Sequence, residues 1–172
     1  GLSLVGSEMC IRDRTNSAWI SIALFGSLPF LLSDNDMSFI DAFFESTSGI
    51  TTTGATVIEN LEAKSHGILI WRALLQWLGG VGIIVMALAV LPMLSIGGMQ
   101  LFKTESYETP DKVVPKAASF AAGISIVYIT LTVIWAFMLW GAGMPMFDSI
   151  AHAMTTLATG GYSTKSESCL LY

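Results

Sequence analysis

The chain has 172 residues, of which 53% are hydrophobic and only 12% are charged, and its formal net charge is −5. Soluble domains carry about 25% charged residues, so this composition excludes an ordinary soluble protein and indicates an integral membrane protein in contact with a lipid bilayer. No stretch of the chain forms a basic stripe, which argues against a nucleic-acid partner.

The two ends differ in pattern from the rest of the chain. Residues 1–14 (GLSLVGSEMCIRDR) are polar and aperiodic, and they stop abruptly against an apolar run. We interpret them, and residues 168–172, as a non-native leader and tail, with a genuine flexible terminus as the alternative. Both cysteines, Cys10 and Cys169, fall in these ends. The native part is then expected to have no disulfide and no cysteine metal site.

The first half of the chain predicts a helix, a short helix, a loop and a second long helix. An apolar run covers residues 18–32, fewer than the roughly 20 residues that a membrane span needs. Ser38 and Asp41 have the spacing of a capping box, which predicts a helix start. The short helix of residues 39–48 cannot cross a bilayer. A long apolar span follows over residues 67–94.

The second half repeats this order of elements. A charged connection at residues 99–116 carries three lysines, which predicts the cytoplasmic side of the membrane. Another long span covers residues 117–143. Pro145 is a natural residue for the first turn of a helix and opens a second short helix at residues 146–156.

A constant offset relates the two halves. Asp148 lies 107 positions after Asp41, and Gly161 lies 107 positions after Gly54. A shared offset for helix start and loop glycine is typical of a structural repeat. The predicted fold class is therefore an all-α membrane protein built of repeated helix–pore-loop–helix units with re-entrant short helices and filter loops. The predicted division is a first unit, a cytoplasmic connection and a second unit without its final helix: residues 15–98, 99–116 and 117–167.

Each short helix leads into a Thr/Gly-rich loop, at residues 48–56 and 155–164. Irregular backbone inside a membrane occurs only where it is buried in protein or lines a watery path. Carbonyl oxygens of such a loop can replace the hydration shell of a cation, and the C-terminal helix end carries a partial negative charge. Gly54 and Gly161 allow the backbone angles that this needs. The loop chemistry suits potassium, with a sodium-sized cage as an open alternative.

Several stretches resemble Trk-type bacterial potassium uptake proteins of the Trk/Ktr/HKT superfamily. Residues 41–56 resemble the first pore helix and filter of that family, and residues 75–85 (LQWLGGVGIIV) resemble the helix after it. Residues 97–101 resemble the cytoplasmic turn that follows, and residues 160–164 resemble the second filter.

This resemblance implies four helix–pore-loop–helix units around one pore, usually in a homodimer with a cytosolic nucleotide-binding regulatory subunit. It implies potassium uptake across the bacterial plasma (inner) membrane by selective permeation, with potassium as the substrate, no cofactor and no enzymatic chemistry. A secondary transporter with re-entrant loops and a non-transporting membrane scaffold are the alternatives. The ion-lining positions implied by the match are Thr52, Thr53, Gly54, Thr159, Gly160 and Gly161.

Four polar side chains in apolar surroundings need an explanation. We expect Arg72 to extend to the lipid headgroups, with a packing or pore-mouth role as the alternative. Gln76 is expected to hydrogen-bond a neighbouring helix. For Glu45, a bond to its own filter loop and cation attraction at the mouth are equally open. His152 is expected to pack or hydrogen-bond rather than bind a metal. Close helix packing is expected at three glycines, Gly79, Gly80 and Gly82.

Overall fold

The computed structural model describes residues 2–33, 37–90 and 113–166. Within these ranges there are five α-helices, one short 3-10 turn and no strand, so the all-α prediction is confirmed. The elements are α1 Leu2–Leu32, α2 Phe39–Ile50, the 3-10 turn Leu61–Ala63, α3 His66–Val90, α4 Val113–Gly141 and α5 Met146–Leu157.

Three helices are long and apolar enough to cross a membrane: α1 over Asp13–Leu32, α3 over His66–Ile84 and α4 over Ala122–Gly141. Large hydrophobic side chains are exposed along α1 and α4, among them Phe25, Leu32, Ile126, Phe137 and Met138. Apolar faces of this extent are what a lipid-facing surface presents. The predicted membrane protein is confirmed at this level.

The predicted unit boundaries stay predictions. Helix α1 begins at Leu2, so it includes the residues that we interpreted as a non-native leader. Residues 91–112, which hold most of the expected cytoplasmic connection, lie outside the described residues, and so do residues 167–172.

Both short helices have the predicted positions. Ser38 is the N-cap of α2: its hydroxyl accepts from the backbone N–H of Asp41 at 3.2 Å and donates to that carboxylate at 2.7 Å. The helix start that the Ser38 and Asp41 spacing predicted is therefore confirmed. Pro145 precedes α5, and Asp148 lies in its first turn. Each helix has 12 residues and is about 18 Å long, too short for a bilayer core of about 30 Å.

Helix α3 lies at the centre of the fold. It packs against both short helices, and in addition α2 packs on α1 and α5 packs on α4. A Cβ at Gly79 would collide with the carbonyl oxygen of Ile50, and one at Gly80 would lie 2.6 Å from the hydroxyl of Tyr128. The expected close packing is confirmed at these two glycines. A Cβ at Gly82 would make only an ordinary van der Waals contact, with the side chain of Trp19.

Candidate filter site at the two loops

The two Thr/Gly loops have the same backbone conformation. Thr52 and Thr159 are left-handed, with φ of 57° and 55°, and two positions later Gly54 and Gly161 have φ of 79° and 78°. Both pairs are separated by the offset of 107 residues that the sequence indicated. The predicted repeat therefore extends to the backbone angles.

Both short helices end in a Schellman motif. In α2 the N–H of Thr53 donates to the carbonyl of Ser48 at 3.0 Å, and in α5 the N–H of Gly160 donates to the carbonyl of Thr155 at 3.0 Å. The left-handed residue of this motif is usually glycine, whereas here it is a β-branched threonine in both loops. Such strain persists only where surrounding contacts hold it, and it clusters at functional sites.

The two loops touch. A Cβ at Gly54 would collide with the carbonyl oxygen of Gly160, so position 54 requires glycine both for its positive φ and for this contact. Gly161 has open space around its Cα, so glycine is required there only for its positive φ. The loops therefore meet at one place.

The six predicted ion-lining residues differ in exposure. Thr53, Thr159 and Gly161 are exposed, Thr52 and Gly54 are half-buried, and Gly160 is buried. All six belong to the two touching loops. Their role as ion-lining positions stays a prediction.

A buried ion pair lies behind the first loop. Arg72 of α3 is 1% exposed, and its Nε lies 2.7 Å from Oε1 of Glu45 in α2, which is 0% exposed. The expected extension of Arg72 to the headgroups is therefore wrong. The side chain turns inward because α2 provides a buried carboxylate at this point, and separating the pair would leave a charge without compensation.

Glu45 also holds its own loop. Its carboxylate accepts from the hydroxyl of Thr56 at 2.9 Å and from the backbone N–H of Val57 at 3.1 Å. The first of the two alternatives for Glu45, a bond to its filter loop, is confirmed. Arg72 Nη2 donates to the same hydroxyl at 2.9 Å, so the charge-assisted network includes residues that closely follow Gly54.

Arg72 extends this network to the second loop. Its Nη1 donates to the carbonyl of Ser163 at 3.3 Å. Its guanidinium carbon lies 4.1 Å from the ring centroid of Tyr162, a cation–π geometry. The Tyr162 hydroxyl lies 3.0 Å from the carbonyl oxygen of Glu45 and 3.3 Å from that of Ala55. One arginine thus contacts residues that follow Gly54 and residues that follow Gly161.

Tyr162 was missed by the sequence reasoning, which assigned it no role. The available signal was an aromatic residue directly after a filter glycine, but its partners lie 107 and 117 positions away. Gln76 was expected to bond a neighbouring helix. Instead it is 0% exposed and binds the second loop: Nε2 donates to the Gly160 carbonyl at 2.9 Å, and Oε1 accepts from Tyr162 N–H at 3.2 Å.

His152 occupies in α5 the position that Glu45 has in α2. Its Nδ1 lies 2.8 Å from the carbonyl oxygen of Asp148, and its Nε2 lies 3.3 Å from the hydroxyl of Ser163. A carbonyl only accepts, so Nδ1 carries a proton, and in the neutral ring Nε2 accepts from the hydroxyl. The expected hydrogen bond is confirmed. Ser163 is the counterpart of Thr56, at the same offset of 107 residues.

A further link joins the segments that follow the two loops. The backbone N–H of Ser166 donates to Glu62 at 2.8 Å, and the Ser166 hydroxyl donates to the other carboxylate oxygen at 3.0 Å. The Ser166 hydroxyl also accepts from the N–H of Leu61 at 3.2 Å. The two bonds from Ser166, the backbone one first, lower the pKa of Glu62 below its ordinary value.

A family model described as a cation transport protein, TrkH, matches residues 12–172. The chain belongs to the TrkH family. Among its relatives are the Trk system potassium uptake proteins TrkI of Halomonas elongata, 44% identical over 90% of this chain, and TrkH of Salmonella typhimurium, 46% identical over 87%. The resemblance to Trk-type proteins is confirmed.

A solved structure of the TrkH family has the same fold. The crystal structure of the potassium transporter TrkH from Vibrio parahaemolyticus matches 90% of the chain with a TM-score of 0.75 and 44% identity. The chain spans 30% of that protein, 31% of the Halomonas relative and 32% of the Salmonella relative. It therefore corresponds to about a third of their length.

Proposed function

We propose that this TrkH-family chain provides two of the filter segments of a potassium-selective pore in the bacterial plasma (inner) membrane. The observation that carries the proposal is the repeated strained backbone, in which Thr52 and Gly54 have nearly the same φ angles as Thr159 and Gly161. Two unrelated turns have no physical reason to share a left-handed β-branched residue followed two positions later by a left-handed glycine.

The proposed mechanism is selective permeation without covalent chemistry. Potassium, the transported substrate, loses its hydration shell at carbonyl and hydroxyl oxygens of the six loop residues. The C-terminal ends of α2 and α5 add their partial negative charge there. No cofactor takes part. Two filter segments cover half of a fourfold ring, so we propose that two further segments complete the pore.

Two partners belong to this proposal: a second copy in a homodimer, and a cytosolic nucleotide-binding regulatory subunit. They rest on the family resemblance alone. The names of the relatives, Trk system potassium uptake proteins, favour potassium uptake over carriage of another solute or a scaffold role.

A chimeric transporter tests the function of this chain in a complete protein. Residues 15–166 replace the matching segment of the Vibrio parahaemolyticus relative, and the product is expressed in a host that lacks its own potassium uptake. We expect growth at low external potassium and potassium uptake that exceeds sodium uptake. The unaltered relative and the empty host are the controls. A chimera that reaches the membrane in normal amount but takes up no potassium would contradict the proposal.

A further inference from the structure

The side chain of Gln76 lies between α3 of the first unit and the loop of the second. Both of its polar atoms are used, with Nε2 bonded to the Gly160 carbonyl and Oε1 bonded to the Tyr162 N–H. A backbone N–H can only be met by an acceptor, so Tyr162 fixes which end of the amide is oxygen. Gln76 is fully buried, and its amide therefore has one orientation in which both bonds form.

Gly160 is glycine because of this amide. Its φ is not in the left-handed region, unlike that of Gly54 and Gly161, so its backbone angles permit other residues. A Cβ at Gly160 would instead collide with the amide group of Gln76. The close approach of Gln76 to the loop backbone therefore explains why position 160 is a glycine.

Among the described residues, the Gly160 carbonyl accepts one hydrogen bond, that from Gln76. A carbonyl oxygen has two acceptor sites, and the bond from Gln76 uses one. The same oxygen is held against the Cα of Gly54 in the first loop. Gln76 therefore fixes the position of an oxygen at the contact between both loops without removing its capacity to accept.

Most contacts that hold the second loop come from the first unit. Gln76 holds two consecutive peptide units, Arg72 contacts the Tyr162 ring and the Ser163 carbonyl, and the Tyr162 hydroxyl bonds a carbonyl of the first unit. Within the second unit, three bonds to the loop involve a side chain: His152 to the Ser163 hydroxyl, Lys165 N–H to the same hydroxyl, and the Thr155 hydroxyl to the His152 carbonyl. This count covers the residues that the structure describes.

We infer that Gln76 is a positioning residue for ion selectivity, which sets the geometry of the second filter loop from the helix of the first unit. The inference rests on the proposed function of the loops as a filter. It goes beyond that function because it assigns selectivity to a side chain outside both loops.

The first test replaces Gln76 by methionine in the chimeric transporter. Gln76→Met keeps the side-chain length and removes both hydrogen bonds, which leaves a buried carbonyl and a buried N–H unpaired. We expect the ratio of potassium to sodium uptake to fall by about tenfold, with a smaller change in total cation uptake.

Thr132→Val is the matched control. It removes the bond from Trp77 Nε1 to the Thr132 hydroxyl, 3.0 Å long, which joins α3 to α4 and not to a loop. We expect this control to leave the uptake ratio unchanged. An unchanged ratio in Gln76→Met, at normal membrane abundance, would overturn the inference.

The second test decides the question if Gln76→Met fails to reach the membrane. Gly160→Ala alone places a methyl group where the Gln76 amide lies, so we expect loss of the uptake ratio. Gln76→Ala together with Gly160→Ala removes the collision but still lacks both Gln76 bonds, so the ratio should fall no further than in Gln76→Ala alone. Additive losses in the double variant would overturn the inference.

The two proposals fail in different ways. If the chimera with the unchanged sequence takes up no potassium, the proposed filter function fails. If it discriminates potassium from sodium but the Gln76 variants do so equally well, only the positioning role of Gln76 fails.

Discussion

The two loops have one backbone conformation but are held by different chemistry. In the first unit a charged pair, Glu45 and Arg72, binds the hydroxyl of Thr56. In the second unit His152 binds the hydroxyl of Ser163 with no buried ion pair among the described residues. Positions 45 and 152, like 56 and 163, are related by the same offset of 107. In both units a side chain of the short helix bonds a loop hydroxyl, but only in the first unit does that side chain belong to a buried ion pair.

The difference shows where each loop obtains its support. The first loop is held mainly by Glu45 of α2 and Arg72 of α3, with one bond from Tyr162, whereas the second depends on Gln76 and Arg72 of α3. Strained backbone persists only when its surroundings hold it. The second loop is therefore coupled to the first. Substitution of the residues that hold the first loop should disturb both loops.

Loss of the buried ion pair should have the largest effect. Arg72→Met leaves the Glu45 carboxylate buried without its countercharge, which costs about 3–5 kcal/mol. We expect little folded chimera in the membrane, as measured by fluorescence-detected size exclusion. Glu45→Gln combined with Arg72→Met should recover much of the folded protein, because no charge is then left unpaired. A single variant as abundant as the parent would contradict this account.

Gly54 and Gly161 should differ in their tolerance of substitution. Gly54→Ser combines left-handed strain of about 1–2 kcal/mol with a collision against the Gly160 carbonyl. Gly161→Ser adds the strain alone, because the space around it is open. We expect the ratio of potassium to sodium uptake to fall in both, and further in Gly54→Ser. Equal ratios in the two variants would argue against the contact between the loops.

The hydroxyls of Thr56 and Ser163 occupy matching positions, and their removal compares the stabilisation that an ion pair gives with the stabilisation that His152 gives. Thr56→Val loses bonds to a charged pair and should cost about 1.5–3 kcal/mol, whereas Ser163→Ala loses bonds to neutral partners and should cost about 0.5–1.5 kcal/mol. Melting temperatures of the two chimeric variants measure the difference. If Ser163→Ala is the more destabilised, the roles assigned to the two supports are reversed.

Much of this architecture follows from sequence patterns, because local signals specify it. Ser38 with Asp41 predicted the start of α2, and the Thr/Gly runs predicted where both short helices end. Arg72 was misjudged since the choice between headgroup and buried partner depends on a residue 27 positions away. Gln76 and Tyr162 join segments 86 positions apart, and no periodicity or propensity reports such a contact.

The smallest expected effect concerns the link at Glu62. Because its pKa is lowered in the folded protein, the ionised carboxylate stabilises the fold above the ordinary value of 4.5, and this contribution is lost as pH falls through the lowered pKa. Glu62→Gln should therefore melt slightly below the parent at pH 7, and it should lose less stability than the parent as the pH falls below 4.5. Parallel melting curves across that range would exclude the contribution.

Anomalous scattering from crystals of the chimeric transporter grown in rubidium tests the central claim most directly. Rubidium substitutes for potassium, and its position can be read without assumptions about the protein. We predict a peak beside the contact between the two loops, within coordination distance of oxygens of Thr52–Gly54 and residues 159–161. A complete data set with rubidium sites elsewhere and none at this contact would contradict the account.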